Sequence, residues 1–206
     1  MVGRRLRGHT RGGQRGSDGA HTVLLAPEGG FVQAYHHLDR AERFPVDLRT
    51  TDAEAAHYDA VVLPGGVANP DILRQDSSTH RLLRDADETR IPIAAIRHGP
   101  WTLIDAGLVT GRTLAAWPSL ATDLRNAGAT WTPARTHVDR ALITAQGMDD
   151  IDEFTTLLIG AVSRSAGTRT PSRHVRRRCG ARTVLAAGDS SCGPRRRHVI
   201  EQVRAM

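Results

Sequence analysis

Residues 91–101, IPIAAIRHGPW, place an arginine, a histidine and a glycine directly after an apolar strand and directly before a helix-like stretch. A strand that turns sharply into a helix is the layout of a nucleophile elbow. The turn residue stands above the sheet edge, and the backbone N–H groups at the start of the helix face an anion. Such a turn normally presents Cys or Ser, whereas this one presents Arg97. A guanidinium stays protonated near neutral pH and has no lone pair with which to attack. His98 follows, with an imidazole that titrates near neutrality and suits general-base work. A second turn, Pro64-Gly65-Gly66, ends the apolar run DAVVLPGG, and its glycines let backbone N–H groups point into a site. The vicinal His36 and His37 do not form a metal site, because neighbouring side chains on extended chain point to opposite faces and no ligand cluster stands nearby.

These turns need strands to hold them. The runs HTVLLA, DAVVL, IPIAAI, TLAAW, ATWT, THVD and ALITA read as strands. Residues 31–51 read as a loop or short hairpin, and DAEAAHY as one or two helical turns. Helices are expected in NPDILRQDSSTHRLLRDADETR with Ser77 as N-cap, in GPWTLIDAG ending at Gly107, and in PSLATDLRNAG from Pro118 to its stop at Gly128. The last helix, DDIDEFTTLLIGAV, carries acids in its first turn. Strands alternating with helices imply a mostly parallel sheet covered on both faces, with sites at the carboxyl ends of its strands. Both PGG and RHG fall there.

Charge separates this core from its flanks. Residues 1–20 and 164–206 hold 16 arginines against three acidic residues, while residues 21–163 hold 12 against 19. The flanks are Arg, Gly, Pro and Ser rich without hydrophobic period, and read as disordered basic segments. The expected organisation is therefore a basic segment over 1–20, one α/β domain over 21–163 and an arginine-rich tail over 164–206. The tails are fit for weak nonspecific polyanion binding through counterion release, but they lack the interleaved aromatics of a stacking surface. The chain has no lysine, so an Arg-only basic set also matches what GC-rich coding DNA produces. The two cysteines, Cys179 and Cys192, both lie in the tail and match no four-ligand zinc pattern. With no apolar run of membrane-spanning length and no signal-peptide core after the basic start, the chain reads as cytoplasmic.

The segments YDAVVLPGGVANPDILR, IPIAAIRHGPW and GLVTGRTLAAWPSLATDLRNAGATW together resemble the PfpI-type intracellular peptidase family of the Parkinsonism-associated deglycase superfamily, over about residues 19–160. The resemblance implies a flavodoxin-like three-layer sandwich with the class I glutamine amidotransferase-like topology, assembled as homo-oligomers. It implies no cofactor or metal. Members act as cysteine peptidases, glyoxalase-like hydratases or deglycases of methylglyoxal adducts, and some are stress proteins, so a small anionic or carbonyl ligand is implied. Carried over by motif, Arg97 stands at the nucleophilic Cys position and His98 at the neighbouring histidine. Gly65 and Gly66, with the N–H of His98, line the oxyanion pocket. Asp71 lies near an acid that reaches the histidine of an adjacent subunit, with a local spacing that differs by one residue. The family also begins with a strand and a helix bearing a Glu that contacts the catalytic Cys. That unit has no counterpart before HTVLLA, so the fold is expected to be N-terminally truncated, with an exposed strand edge.

Two readings of the elbow stand. In one, the chain is a pseudoenzyme of the peptidase/deglycase class whose thiolate route is closed by Arg97. In the other, it is a noncatalytic protein that binds small anions or joins subunits through the retained pocket, where a guanidinium and glycine N–H groups hold a carboxylate or phosphate. Asp71 also reads as an ordinary helix-start acid beside Pro70, and Trp101, Trp117 and Trp131 read as core or interface anchors.

Overall fold

The computed structural model describes residues 2–5, 22–36 and 39–168. Its centre is a strand made of nothing but buried apolar residues, β7 (Ile93–Ile96). On one side β7 pairs in parallel with β6 (Tyr58–Leu63), and on the other with β11 (Leu142–Ala145). A strand flanked in this way has both faces covered, which is why its sequence is continuously apolar rather than alternating. The sheet is completed by β10 (Thr136–Asp139), β1 (Val2–Arg5), β2 (Val23–Ala26) and β5 (Leu48–Arg49). The seven strands run in the order β10-β11-β7-β6-β1-β2-β5.

Successive residues of the central strands feed opposite faces. Leu25, Val61, Leu63, Ile93, Ala95 and Leu142 pack beneath α2 (Ser77–Glu88) and α3 (Pro100–Asp105), which contribute Leu82, Leu83 and Leu103. Leu24, Val62, Ala94, Ile96 and Ile143 pack beneath α5 (Ile151–Thr168), through Phe154, Leu158 and Val162. The result is the expected three-layer α/β sandwich with a mostly parallel sheet. A smaller parallel pair, β8 (Thr113–Ala115) and β9 (Thr130–Thr132), sits beside α4 (Ala121–Asn126). The stretch expected as a loop or short hairpin holds an antiparallel pair, β3 (Phe31–His36) and β4 (Asp39–Pro45). Gly107 and Gly128 follow α3 and α4 with φ of 76° and 81°, the left-handed stops anticipated for them.

Three expectations change. Residues 2–5 form β1, although 1–20 read as lacking any ordered element; β1 pairs antiparallel with both β2 and β6 and fills the interior gap between them. Backbone pairing on two sides overrides a composition that carries no strand signal. The sheet therefore has no open edge at that place. The helical stretch over 69–90 is formed by two helices, α1 (Ala68–Leu73) and α2. The cap of α2 is Asp76 rather than Ser77: its carboxylate accepts from the N–H groups of Ser78 and Thr79 at 3.3 and 2.9 Å. Finally, α5 continues to Thr168, past the domain end expected at 163. The remainder of the basic segments, with Cys179 and Cys192, lies outside the described residues. Among the described residues, no helix is long and apolar enough to cross a membrane.

Candidate functional site

The site lies at the carboxyl ends of β6, β7 and β8, where the chain leaves the sheet three times. After Ile96 the backbone of Arg97 turns into the left-handed region, with φ of 58°. That conformation is uncommon for a residue with a side chain and costs about 1–3 kcal/mol where the surroundings enforce it. Here they do. The Arg97 N–H donates to the Ala145 carbonyl at 3.0 Å, tying the turn to β11, and the Arg97 carbonyl accepts the Trp117 N–H at 3.0 Å. Gly99 N–H then closes on the Ile96 carbonyl at 2.9 Å, and Pro100 starts α3 with a φ already suited to a helix.

Two glycines let the turns come together. A Cβ on Gly65 would lie 2.7 Å from the Arg97 Cβ, and one on Gly99 would lie 2.6 Å from the Leu63 carbonyl oxygen. Only a residue without a Cβ fits at either place. Gly66, at φ of 80°, takes the left-handed turn that carries the chain from β6 towards α1.

The Arg97 guanidinium lies over the indole of Trp117, its Cζ 5.4 Å from the ring centroid. Its Nε is buried and makes no hydrogen bond. Among the described residues no carboxylate pairs with it, whereas Arg74, Arg112, Arg135 and Arg140 each have an acidic partner. His98 is 9% exposed. Its Nε2 faces the Ser119 hydroxyl at 3.4 Å, its Nδ1 is buried without a partner, and its ring sits 6.0 and 6.4 Å from those of Trp117 and Trp101. Burial, and secondarily the charge of Arg97, pushes the imidazole below its ordinary pKa. His98 is therefore a neutral group whose protonation is opposed from two sides.

Arg97, His98, Gly65 and Gly66 are thus gathered at one sheet edge. Asp71 is not joined to them: it sits exposed on α1, and its carboxylate makes no hydrogen bond or ion pair among the described residues. Trp117 and Ser119 were missed. Trp117 reads as a core or interface anchor in the sequence; it is 39% exposed and roofs both Arg97 and His98. Its position two residues past the strand TLA is the available signal, because the carboxyl edge gathers sites. Trp101 anchors the opposite wall through its indole N–H, which donates to Asp123 at 2.8 Å. Arg74 covers its ring at 4.7 Å.

The solved structure of a two-domain protein from Anabaena variabilis, containing DJ-1/ThiJ/PfpI-like and ferritin-like domains, superposes with a TM-score of 0.63 at 32% identity. The match covers 68% of this chain and 41% of that one. Drosophila melanogaster DJ-1beta superposes with a TM-score of 0.53 at 26% identity, covering 61% and 71%. In sequence, the chain is 34% identical over 113 residues to a Bacillus subtilis protein named "Putative cysteine protease YraA", covering 55% of this chain. It is 36% identical over 115 residues to an uncharacterized protein of Staphylococcus haemolyticus, again covering 55%. In both cases the chain spans 66% of the relative's length, just under two thirds. The model of the DJ-1/PfpI family matches residues 13–161, which contain every residue of the site, and the chain belongs to that family.

Proposed function

We propose that this chain is a domain of the cysteine peptidase and glyoxalase/deglycase class in which thiol catalysis is lost, because Arg97 stands where the family presents its nucleophilic Cys. The observation that carries this reading is Arg97 at the tip of the turn between β7 and α3, at φ of 58°. Attack on a carbonyl carbon needs a lone pair that a protonated guanidinium does not offer. Gly65, Gly66 and His98 are the retained remainder of the pocket, and the neutral imidazole of His98 has no thiol to deprotonate. Asp71, exposed on α1, serves at the interface of a homo-oligomer within this reading.

A second reading is favoured by the unpaired guanidinium. A buried Nε without a partner, on a cation that pairs with no acid among the described residues, matches a site for a small carboxylate or phosphate. The two readings are compatible, since loss of the nucleophile leaves the pocket available for binding.

The test is turnover of methylglyoxal and of a peptide substrate by the unmodified protein beside an Arg97→Cys variant. No turnover by the unmodified protein, with gain in the variant, supports a loss confined to one position. Inactivity of both supports a loss that extends beyond position 97. Turnover by the unmodified protein refutes the reading.

A further inference from the structure

The elbow presents a single positive charge. Among the described residues no carboxylate meets the Arg97 guanidinium, and the one acid of α3 and the one acid of α4 are engaged elsewhere. Asp105 accepts from Arg74, and Asp123 accepts from the Trp101 indole N–H, both at 2.8 Å. Asp71 stays apart on α1, and His98, held neutral by burial, adds no second cation. A ligand with one negative charge is therefore balanced by Arg97. A second negative charge would enter a half-buried site with nothing to offset it, and desolvating an unpaired charge is costly.

The donors of the site suit a planar anion. The contact with the Trp117 indole, 5.4 Å from Cζ to the ring centroid, draws on the charge of the guanidinium and leaves its N–H fork without an acid among the described residues. That fork matches a carboxylate through two parallel hydrogen bonds. Backbone donors stand beside it: the N–H groups of Gly65, Gly66 and His98 meet no acceptor among the described residues. Gly65 backs closely onto the arginine, since a Cβ there would lie 3.0 Å from the Arg97 Cδ. The surroundings are apolar. Trp117 is 39% exposed, and Val67, directly after the glycine turn, is 57% exposed. Exposed apolar surface around a lone cation favours a ligand whose charge is attached to an apolar body.

We propose that the anion taken at this elbow is a monocarboxylate with a flat apolar body, of the aryl carboxylate type, its carboxylate on the Arg97 fork and its body on the exposed indole of Trp117. The inference rests on the anion-binding reading of the pocket and narrows it to one ligand class. Arg97 sets the charge that is accepted. Trp117 sets the shape and polarity of what carries that charge.

The test titrates the full chain by calorimetry near neutral pH with acetate, benzoate, phthalate and monomethyl phthalate. Benzoate is expected to bind about tenfold more tightly than acetate, through burial of its ring on the indole. Phthalate, a dianion, is expected to bind about tenfold more weakly than its monomethyl ester, a monoanion of similar shape. Trp117→Leu is expected to bring benzoate down to the affinity of acetate, while Trp117→Phe, which keeps a flat ring, retains the preference. Benzoate and acetate that bind alike overturn the proposal and leave the anion-binding reading standing. So does phthalate that binds as tightly as its monoester, or a preference for benzoate that Trp117→Leu leaves intact. If none of the four carboxylates binds, the anion-binding reading falls and the proposal falls with it.

Discussion

The guanidinium of Arg97 lies over the indole of Trp117, 5.4 Å from the ring centroid, and the same two residues are joined through the Trp117 N–H and the Arg97 carbonyl at 3.0 Å. The side-chain contact is worth about 0.5–2 kcal/mol, but among the described residues it leaves the guanidinium's hydrogen-bonding edge without an acid. Trp117 is therefore a built-in reporter of what that edge does. Titration with acetate or inorganic phosphate is expected to change tryptophan emission, and Arg97→Gln to weaken the anion's apparent affinity about tenfold or more. Unaltered emission and affinity in Arg97→Gln would place any anion elsewhere.

The pH dependence follows from His98. Its folded pKa lies below the ordinary 6.5 because burial and then Arg97 oppose its charge. Above 6.5 both the folded and unfolded chains hold it neutral and it contributes no pH dependence. As pH falls below 6.5 the unfolded chain takes up the proton first, so stability drops until the folded pKa is passed. In Arg97→Gln one of the two causes is gone, and the imidazole titration followed by NMR is expected to move up towards the ordinary value. A titration that stays in place would assign the whole shift to burial.

Gly65 and Arg97 are coupled by contact. Gly65→Ala puts a Cβ 2.7 Å from the Arg97 Cβ and 3.1 Å from the Ile96 carbonyl, and is expected to cost about 1–3 kcal/mol in chemical denaturation. In an Arg97→Gly background the first contact disappears and the cost of Gly65→Ala is expected to shrink, giving a favourable interaction energy in the double-mutant cycle. Simple additivity would mean the elbow relaxes without help.

Much of this site is readable from residue types. The continuous apolar run before Arg97 demands a strand covered on both faces, and the glycines and Pro100 after it demand a turn into a helix. What could not be read depends on contacts between distant segments. Ser77 and Asp76 are equally good caps by type. Asp76 takes the role because its carboxylate also accepts from the hydroxyls of Thr50 and Thr79, at 2.7 and 2.6 Å, and Thr50 is 26 residues away in sequence. Trp117 roofs Arg97 for a similar reason: only the return of the chain after β8 brings the two together. The strand at residues 2–5 is dictated by the gap between β2 and β6 rather than by its own composition.

Asp76 carries a stability prediction of its own. Partial burial alone would raise its pKa, but the hydrogen bonds from Thr79, Thr50 and Ser78 outweigh it and hold the pKa below the ordinary 3.8. The stabilisation is present above 3.8 and is lost as pH falls through the lower, folded value. Asp76→Ala is expected to cost about 1–3 kcal/mol at neutral pH. Asp76→Asn, which keeps an acceptor, should cost less and flatten the acid limb of the stability curve. Equal losses in the two variants would argue against the cap.

The central claim is that no thiol works at this elbow. It is tested most directly by methylglyoxal turnover in the full chain carrying Cys179→Ser and Cys192→Ser, which removes both cysteines of the sequence. The account predicts no turnover above the uncatalysed rate for this protein, and none for the unmodified chain. Turnover by the unmodified chain that the two substitutions abolish would contradict it, by showing that a thiol of this chain carries out the carbonyl chemistry.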